Sequence, residues 1–169
     1  MVGREKCLPS CTHDVCVYKK DSAKLHTVID GRKRNDNTEK DITPFPYQEQ
    51  ICHDVARSKY RSKINMSNAY EQIRIETPDV WKTAFATIYG TFVSHMMQQG
   101  DCNAPATFQR LMTVIFREFI GRFVHIYLDD IFVYSNSIEE HKKHLGLVFD
   151  KLCQAQLYLE ESKLDLYSK

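Results

Sequence analysis

No stretch of this chain approaches the roughly 20 apolar residues needed to cross a bilayer as a helix, which argues against a membrane partner. The opening Met1-Val-Gly-Arg-Glu-Lys6 lacks the apolar core of a secretory signal, so the chain reads as intracellular. Net charge is also scarce, at +1, and that total alone does not mark a nucleic-acid binder. A disulfide framework is not expected. The six cysteines are even in number, but Cys52, Cys102 and Cys153 are scattered through ordinary globular sequence. Cys7, Cys11, His13 and Cys16 cluster more tightly, yet their spacing fits no common zinc finger or knuckle. Cys16 sits in the apolar run Val15-Cys-Val-Tyr18, where a half-buried strand cysteine is ordinary, so reduced thiols are expected.

What is present is enough for a real core. At 169 residues and 43% hydrophobic, the chain suits one domain with room for two lobes. Its charges are unevenly spread: residues 17–63 hold 11 Lys and Arg against 7 Asp and Glu, while residues 64–169 hold 10 against 13. A basic first part suits a phosphate backbone and an acidic second part suits metal ions. A pair of ordinary solvated surfaces would give the same small imbalance.

The most pointed stretch is Phe123-Val-His-Ile-Tyr-Leu-Asp-Asp-Ile-Phe-Val-Tyr134, two strand-forming runs meeting at Asp129 and Asp130. Adjacent carboxylates repel, and a hairpin tip that gathers them suits a divalent cation, most simply Mg²⁺. The alternative is a turn that merely favours Asp. Both arms are largely apolar on both faces, which predicts a hairpin inside a layered domain with only its tip exposed to polar chemistry.

Punctuation organises the rest. Val15–Tyr18 and Lys24–Ile29 read as strands joined at Lys20-Asp21-Ser22, followed by a mobile polar connector, Gly31–Thr43. Pro44-Phe-Pro46 fixes an extended segment before a helix over Gln48–Ser58. Lys63–Met66 and Gln72–Ile75 read as strands, Pro78 opens a helical turn, and Thr83–Thr87 with Thr91–His95 suit a hairpin. Ala104, Phe108, Leu111, Met112, Ile115 and Phe119 recur at helical spacing, as do Leu145, Val148, Phe149 and Leu152. On that second helix, His141 and His144 read as exposed. The order predicts an α+β fold, a sheet with helices packed on one face.

Lys63-Ile-Asn-Met-Ser-Asn-Ala-Tyr-Glu-Gln-Ile73, Val80-Trp-Lys-Thr-Ala-Phe85, Asn103-Ala-Pro-Ala-Thr-Phe-Gln-Arg-Leu-Met112, Tyr127-Leu-Asp-Asp130 and Glu140-His141 follow in order. Together they resemble the reverse transcriptase of gypsy-type LTR retrotransposons, over about residues 15–169. The resemblance implies an N-terminal extension (1–14), a small, mainly β fingers lobe (15–62) and a polymerase palm (63–169) with a ferredoxin-like antiparallel sheet. It implies RNA-directed DNA polymerase activity, with an RNA or DNA template-primer and deoxynucleoside triphosphates as partners, a possible homodimer, and a cytoplasmic particle as the working compartment. It also implies that thumb and RNase H segments are missing after Lys169.

Chemistry in such a family uses two Mg²⁺ or Mn²⁺ ions held by three carboxylates. Asp129 and Asp130 match two of them as catalytic and metal-binding residues. The third falls at Asn65, where the family writes Lys-Leu-Asp-Leu and this chain writes Lys63-Ile-Asn-Met66. An amide oxygen can touch a cation but cannot bridge two as a carboxylate does. The gross attraction lost is about 8 kcal/mol at an effective dielectric of 20. A net loss of about 4 kcal/mol is near a thousandfold in rate. The expectation is an incomplete two-metal site and a weak or inactive polymerase; the alternative is a non-catalytic nucleic-acid-binding or dimerisation module.

The resemblance extends to nucleotide-binding positions. Tyr70 matches the aromatic under the incoming sugar, although a core tyrosine is the plain alternative. Gln99 and Gly100 match a loop that meets the nucleotide, and Lys19 or Lys20 would bind its phosphates as point charges. His26 stands where the family commonly has Arg. Lys163 matches a lysine near the leaving phosphate, though Glu160 and Glu161 replace the usual Asn-Pro. Asp30 with Arg32 matches a fingers pair, and Arg110 is expected to face the template side or solvent.

Overall fold

A computed structural model describes residues 12–18 and 25–168. In chain order its regular elements are β1 (Thr12–Tyr18), β2 (Leu25–Ile29), α1 (Arg32–Asp36), α2 (Gln48–Arg57), β3 (Tyr60–Asn65), β4 (Phe85–Thr87) and β5 (Gly90–Phe92). They continue with α3 (Ala104–Ile115), β6 (Val124–Tyr127), β7 (Asp130–Ser135), α4 (Ile138–Gln154) and β8 (Asp165–Ser168). Cys7, Cys11, Lys19, Lys20 and the turn expected at 20–22 lie outside the described residues. The backbone of His13 and Cys16 lies on β1.

These elements form two compact units that interleave along the sequence. The first comprises the described residues up to Lys40 with Ile73–Ala104; the second, Asp41–Gln72 with Pro105 onward.

The first unit holds a mixed sheet in the order β2-β1-β4-β5. β1 runs antiparallel to β2 and parallel to β4, and β4 turns back on β5 as expected, with Gly90 at φ 128 supplying a conformation that side chains resist. The expected strand at Gln72–Ile75 does not form. Ala69–Gln72 is a 3₁₀ turn, and only Arg74 makes a bridge, to Met96. The pairing around it is short: the Ile75 N–H donates to the His95 carbonyl at 2.9 Å and the Met97 N–H to the Ile73 carbonyl at 2.8 Å, while the Gln72 side chain accepts from the Tyr158 N–H at 2.7 Å and donates to the Tyr158 carbonyl at 3.0 Å.

The connector at 31–43 is also more ordered than its composition implies, since it contains α1. Asn35 donates to the Gly100 carbonyl at 2.8 Å and accepts from the Cys102 N–H at 3.0 Å, and Asn103 donates to the Glu39 carbonyl at 2.7 Å. Polar residues here satisfy backbone groups remote in sequence, which no local pattern reveals.

The second unit is a βαββαβ array. Its four antiparallel strands lie in the order β6-β7-β3-β8, the ferredoxin-like arrangement. One face carries Ile64, Val124, Ile126, Ile131 and Val133, all at most 2% exposed, sharing a core with Phe108, Met112 and Phe116 and with Leu145, Val148 and Leu152 of α4. Each such side chain contributes about 1.5–3 kcal/mol by leaving water. α4 starts where the Ser137 side chain, at the N-cap, accepts the Glu140 N–H at 3.3 Å. On the His125 side of the sheet, Asp54 of α2 meets His125 Nε2 at 2.8 Å.

The α4 histidines are not exposed. His141 is fully buried, with Nε2 2.8 Å from Ser62 Oγ and Nδ1 2.9 Å from Ser135 Oγ. His144 is half-buried, stacks on Phe123 with ring centroids 3.9 Å apart and places Nδ1 2.8 Å from Ser135 Oγ. The i, i+3 spacing sets both on one face of α4, and that face meets the sheet.

Candidate active site

Residues 127–130 close a two-residue hairpin: Tyr127 pairs with Asp130, leaving Leu128 and Asp129 in the turn. Leu128 has φ 54, a left-handed conformation that costs a β-carbon residue about 1–2 kcal/mol. β3 runs antiparallel to β7 with Asn65 directly opposite Asp130, and the Met66 N–H donates to the Asp129 carbonyl at 3.1 Å. The pleat then sets Lys63, Asn65, Asp130 and Phe132 on one face.

This face has a defined polar order. Asn65 Nδ2 donates to Asp130 Oδ1 at 2.8 Å, and Lys63 Nζ lies 2.8 Å from Asp130 Oδ2. Both Asp130 oxygens therefore have partners from β3, one neutral and one cationic. Tyr70 follows the 67–68 turn, with its ring edge-on to Phe108 at 5.8 Å. Burial, and then the Asp129 charge, push its phenol above the ordinary value, consistent with Tyr70 lying beside that carboxylate.

The donors test what the site can hold. Asp129 and Asp130 offer hard, charged oxygens suited to one divalent ion. A second ion sharing a bridging carboxylate has no such ligand in Asn65, and no group of three or more His, Cys, Asp or Glu among the described residues could hold a metal.

Of the residues singled out from sequence, the second unit thus brings Asn65, Tyr70, Asp129 and Asp130 together. Lys163 lies in the 3₁₀ turn Glu161–Lys163 and bonds Glu160 at 3.0 Å, rather than either aspartate. Arg110 pairs with Asp41 at 2.9 Å. Gln99 and Gly100 are in the first unit, both exposed, with Gly100 at φ 107. Arg34 Nη2 meets Gln98 Oε1 at 3.0 Å and also bonds Asp101, bracing this loop from α1. Arg32 is 87% exposed and pairs with Asp30 at 2.6 Å.

No motif in the sequence marks Arg34, Asn35 or Gln109 as functional, yet each bonds a remote loop or turn. The signal for Gln109 was a polar residue within the apolar stripe of α3, where it is only 2% exposed. Arg34 and Asn35 gave none beyond a polar composition shared by their neighbours.

The family described as "Reverse transcriptase (RNA-dependent DNA polymerase)" matches residues 7–169, and the chain belongs to it. It is 37% identical over 146 residues to the "Retrovirus-related Pol polyprotein from transposon 297" of Drosophila melanogaster, covering 86% of this chain and 14% of that polyprotein. Identity to the "Transposon Tf2-3 polyprotein" of Schizosaccharomyces pombe is 30% over 167 residues, covering 99% of this chain and 12% of the relative. The chain thus spans about a seventh or less of these relatives. Among solved structures, a foamy viral protease-reverse transcriptase in complex with double-stranded DNA superposes with a TM-score of 0.83 at 28% identity, over 94% of this chain and 27% of that one. The same kind of enzyme in complex with an RNA/DNA hybrid gives 0.82 at 28% identity, over 92% and 21%. The chain is a reverse transcriptase-like domain related to retroelement polyproteins.

Proposed function

We propose that this chain is the fingers and palm of a gypsy-type retroelement polymerase, RNA-directed by descent, whose catalysis is weakened at Asn65. The observation that carries this reading is the register of β3 against β7, which seats an amide opposite Asp130. The ferredoxin-like unit is assigned as palm and the β1-containing unit as fingers. The substrates are a template-primer and deoxynucleoside triphosphates, and the compartment is cytoplasmic. The DNA and RNA/DNA hybrid held by the foamy viral relatives support the template assignment.

Asp129 and Asp130 hold a Mg²⁺ or Mn²⁺ ion in this reading, and Tyr70 orients the nucleotide sugar beside them. When bound, the metal supplies a lowered pKa for the attacking hydroxyl and charge stabilisation at the transferring phosphoryl group. Asn65 cannot share a second ion, and Lys163 and the loop at Gln99 and Gly100 contribute to phosphate and nucleotide binding. Lys19 and Lys20, outside the described residues, are assigned to the triphosphate.

Primer extension with Mg²⁺ or Mn²⁺, comparing wild type with Asn65→Asp, tests this. Wild type should extend weakly and the variant up to about a thousandfold faster. Full-rate extension by wild type, with no gain in the variant, overturns the assignment of Asn65. The existing Lys63–Asp130 ion pair favours a second reading, a non-catalytic nucleic-acid-binding or dimeric module. Template-primer binding without extension by either protein would select it.

A further inference from the structure

Gln109 is a buried amide on an otherwise apolar helix face, at 2% exposure. Burying an amide is costly unless both of its ends are bonded, and Gln109 uses both on the hairpin. Its Oε1 accepts the Leu128 N–H at 2.8 Å, and its Nε2 donates to the Ile126 carbonyl over a longer 3.4 Å. Leu128 is the left-handed residue immediately before Asp129. A turn residue's N–H has no place in the β6–β7 ladder, whose last pair is Tyr127 with Asp130, so its direction is set by whatever accepts it.

We propose that Gln109 is the positioning residue of the carboxylate hairpin. By accepting the Leu128 N–H from α3, it holds the 127–128 peptide in the orientation that keeps Leu128 left-handed. That orientation fixes where Asp129 is presented beside Asp130. The claim about ion binding rests on the reading of Asp129 and Asp130 as metal ligands. The claim about the turn rests only on geometry.

The experiment separates the two. Gln109→Met keeps volume and removes the acceptor, and Leu128→Gly removes the steric cost of positive φ. Amide hydrogen exchange by NMR on the full chain should show Leu128 exchanging about tenfold faster in Gln109→Met, with Ile131 and Val133 unchanged. Mn²⁺ titration, read by paramagnetic broadening, should show about tenfold weaker binding in Gln109→Met, recovered to within about threefold by adding Leu128→Gly. Unchanged exchange at Leu128, or equal acceleration at Ile131 and Val133, overturns the positioning role. So does loss of Mn²⁺ affinity that Leu128→Gly leaves untouched. If wild type binds no Mn²⁺ while Leu128 is protected, the metal reading falls and the exchange comparison alone decides Gln109.

Discussion

Asp130 faces Asn65 across a β ladder, so Asn65→Asp sets two carboxylates directly opposite each other. Like charges in that arrangement cost about 0.2–1 kcal/mol. In EDTA the variant should therefore melt up to about 4 °C below wild type. Lys63, 2.8 Å from Asp130, limits the loss by neutralising one charge. Added Mn²⁺ should raise the melting temperature of Asn65→Asp more than that of wild type, because three carboxylates bind a cation more tightly than two. An equal rise in both proteins, measured by differential scanning fluorimetry, would sink the idea that residue 65 belongs to the metal site. The amide currently acts as a donor to Asp130, a role a carboxylate cannot take.

At the level of elements, one imidazole links three of them. His141 of α4 meets Ser62 of β3 and Ser135 of β7, while the Tyr167 N–H of β8 donates to Ser62 Oγ at 3.0 Å. His141→Ala leaves buried hydroxyls short of partners and opens a cavity, so chemical denaturation should show a loss of about 2–3 kcal/mol. Burial, and then the neighbouring His144, hold the His141 pKa below its usual 6.5. Above pH 6.5 the ring is neutral in both states and its contribution is complete. As pH falls from 6.5 toward the folded value, the unfolded chain takes up a proton that the folded chain refuses, and stability declines. Urea midpoints across pH 5–8 should fall on the acid side, and His141→Gln should make that slope shallower. Asp54 titrates much lower: bonds from Gln50 and then His125 hold its carboxyl at about 2. Its share of stability is complete above the ordinary carboxylate range and is lost only as pH falls from about 4 toward 2.

At the scale of the whole molecule, the two compact units exchange chain at residues 40/41, 72/73 and 104/105. β1 pairs with both β2 and β4, and β4 comes from residues 85–87. A fragment ending at residue 62 has β1 and β2 but lacks β4 and β5, and an isolated two-stranded hairpin is marginal in water. Residues 1–62 alone should therefore show an unfolded circular dichroism spectrum and narrow amide dispersion by NMR. A cooperative unfolding transition from that fragment would refute the interleaved division. No helix among the described residues is long and apolar enough to cross a membrane.

Local pattern was enough for much of this protein. The alternation through Val124–Tyr134 and the helical stripes of α3 and α4 are set by neighbours within a few residues, and these elements formed where the pattern predicted, except that α3 ends at Ile115, short of the Phe119 its stripe reached. The Asp129–Asp130 pair was likewise visible as a hairpin tip. Tertiary structure alone decided what each polar group answers to. It turned the 31–43 connector into a brace, buried His141 beneath the sheet, abolished the strand at 72–75 and set Asn65 against Asp130. The physical reason is that a buried hydrogen-bond donor must find an acceptor wherever the fold supplies one, often tens of residues away. Gln109, nineteen residues before the Leu128 amide it accepts, is the clearest case: its sequence context predicts a helix, and only the fold turns that helix toward the hairpin.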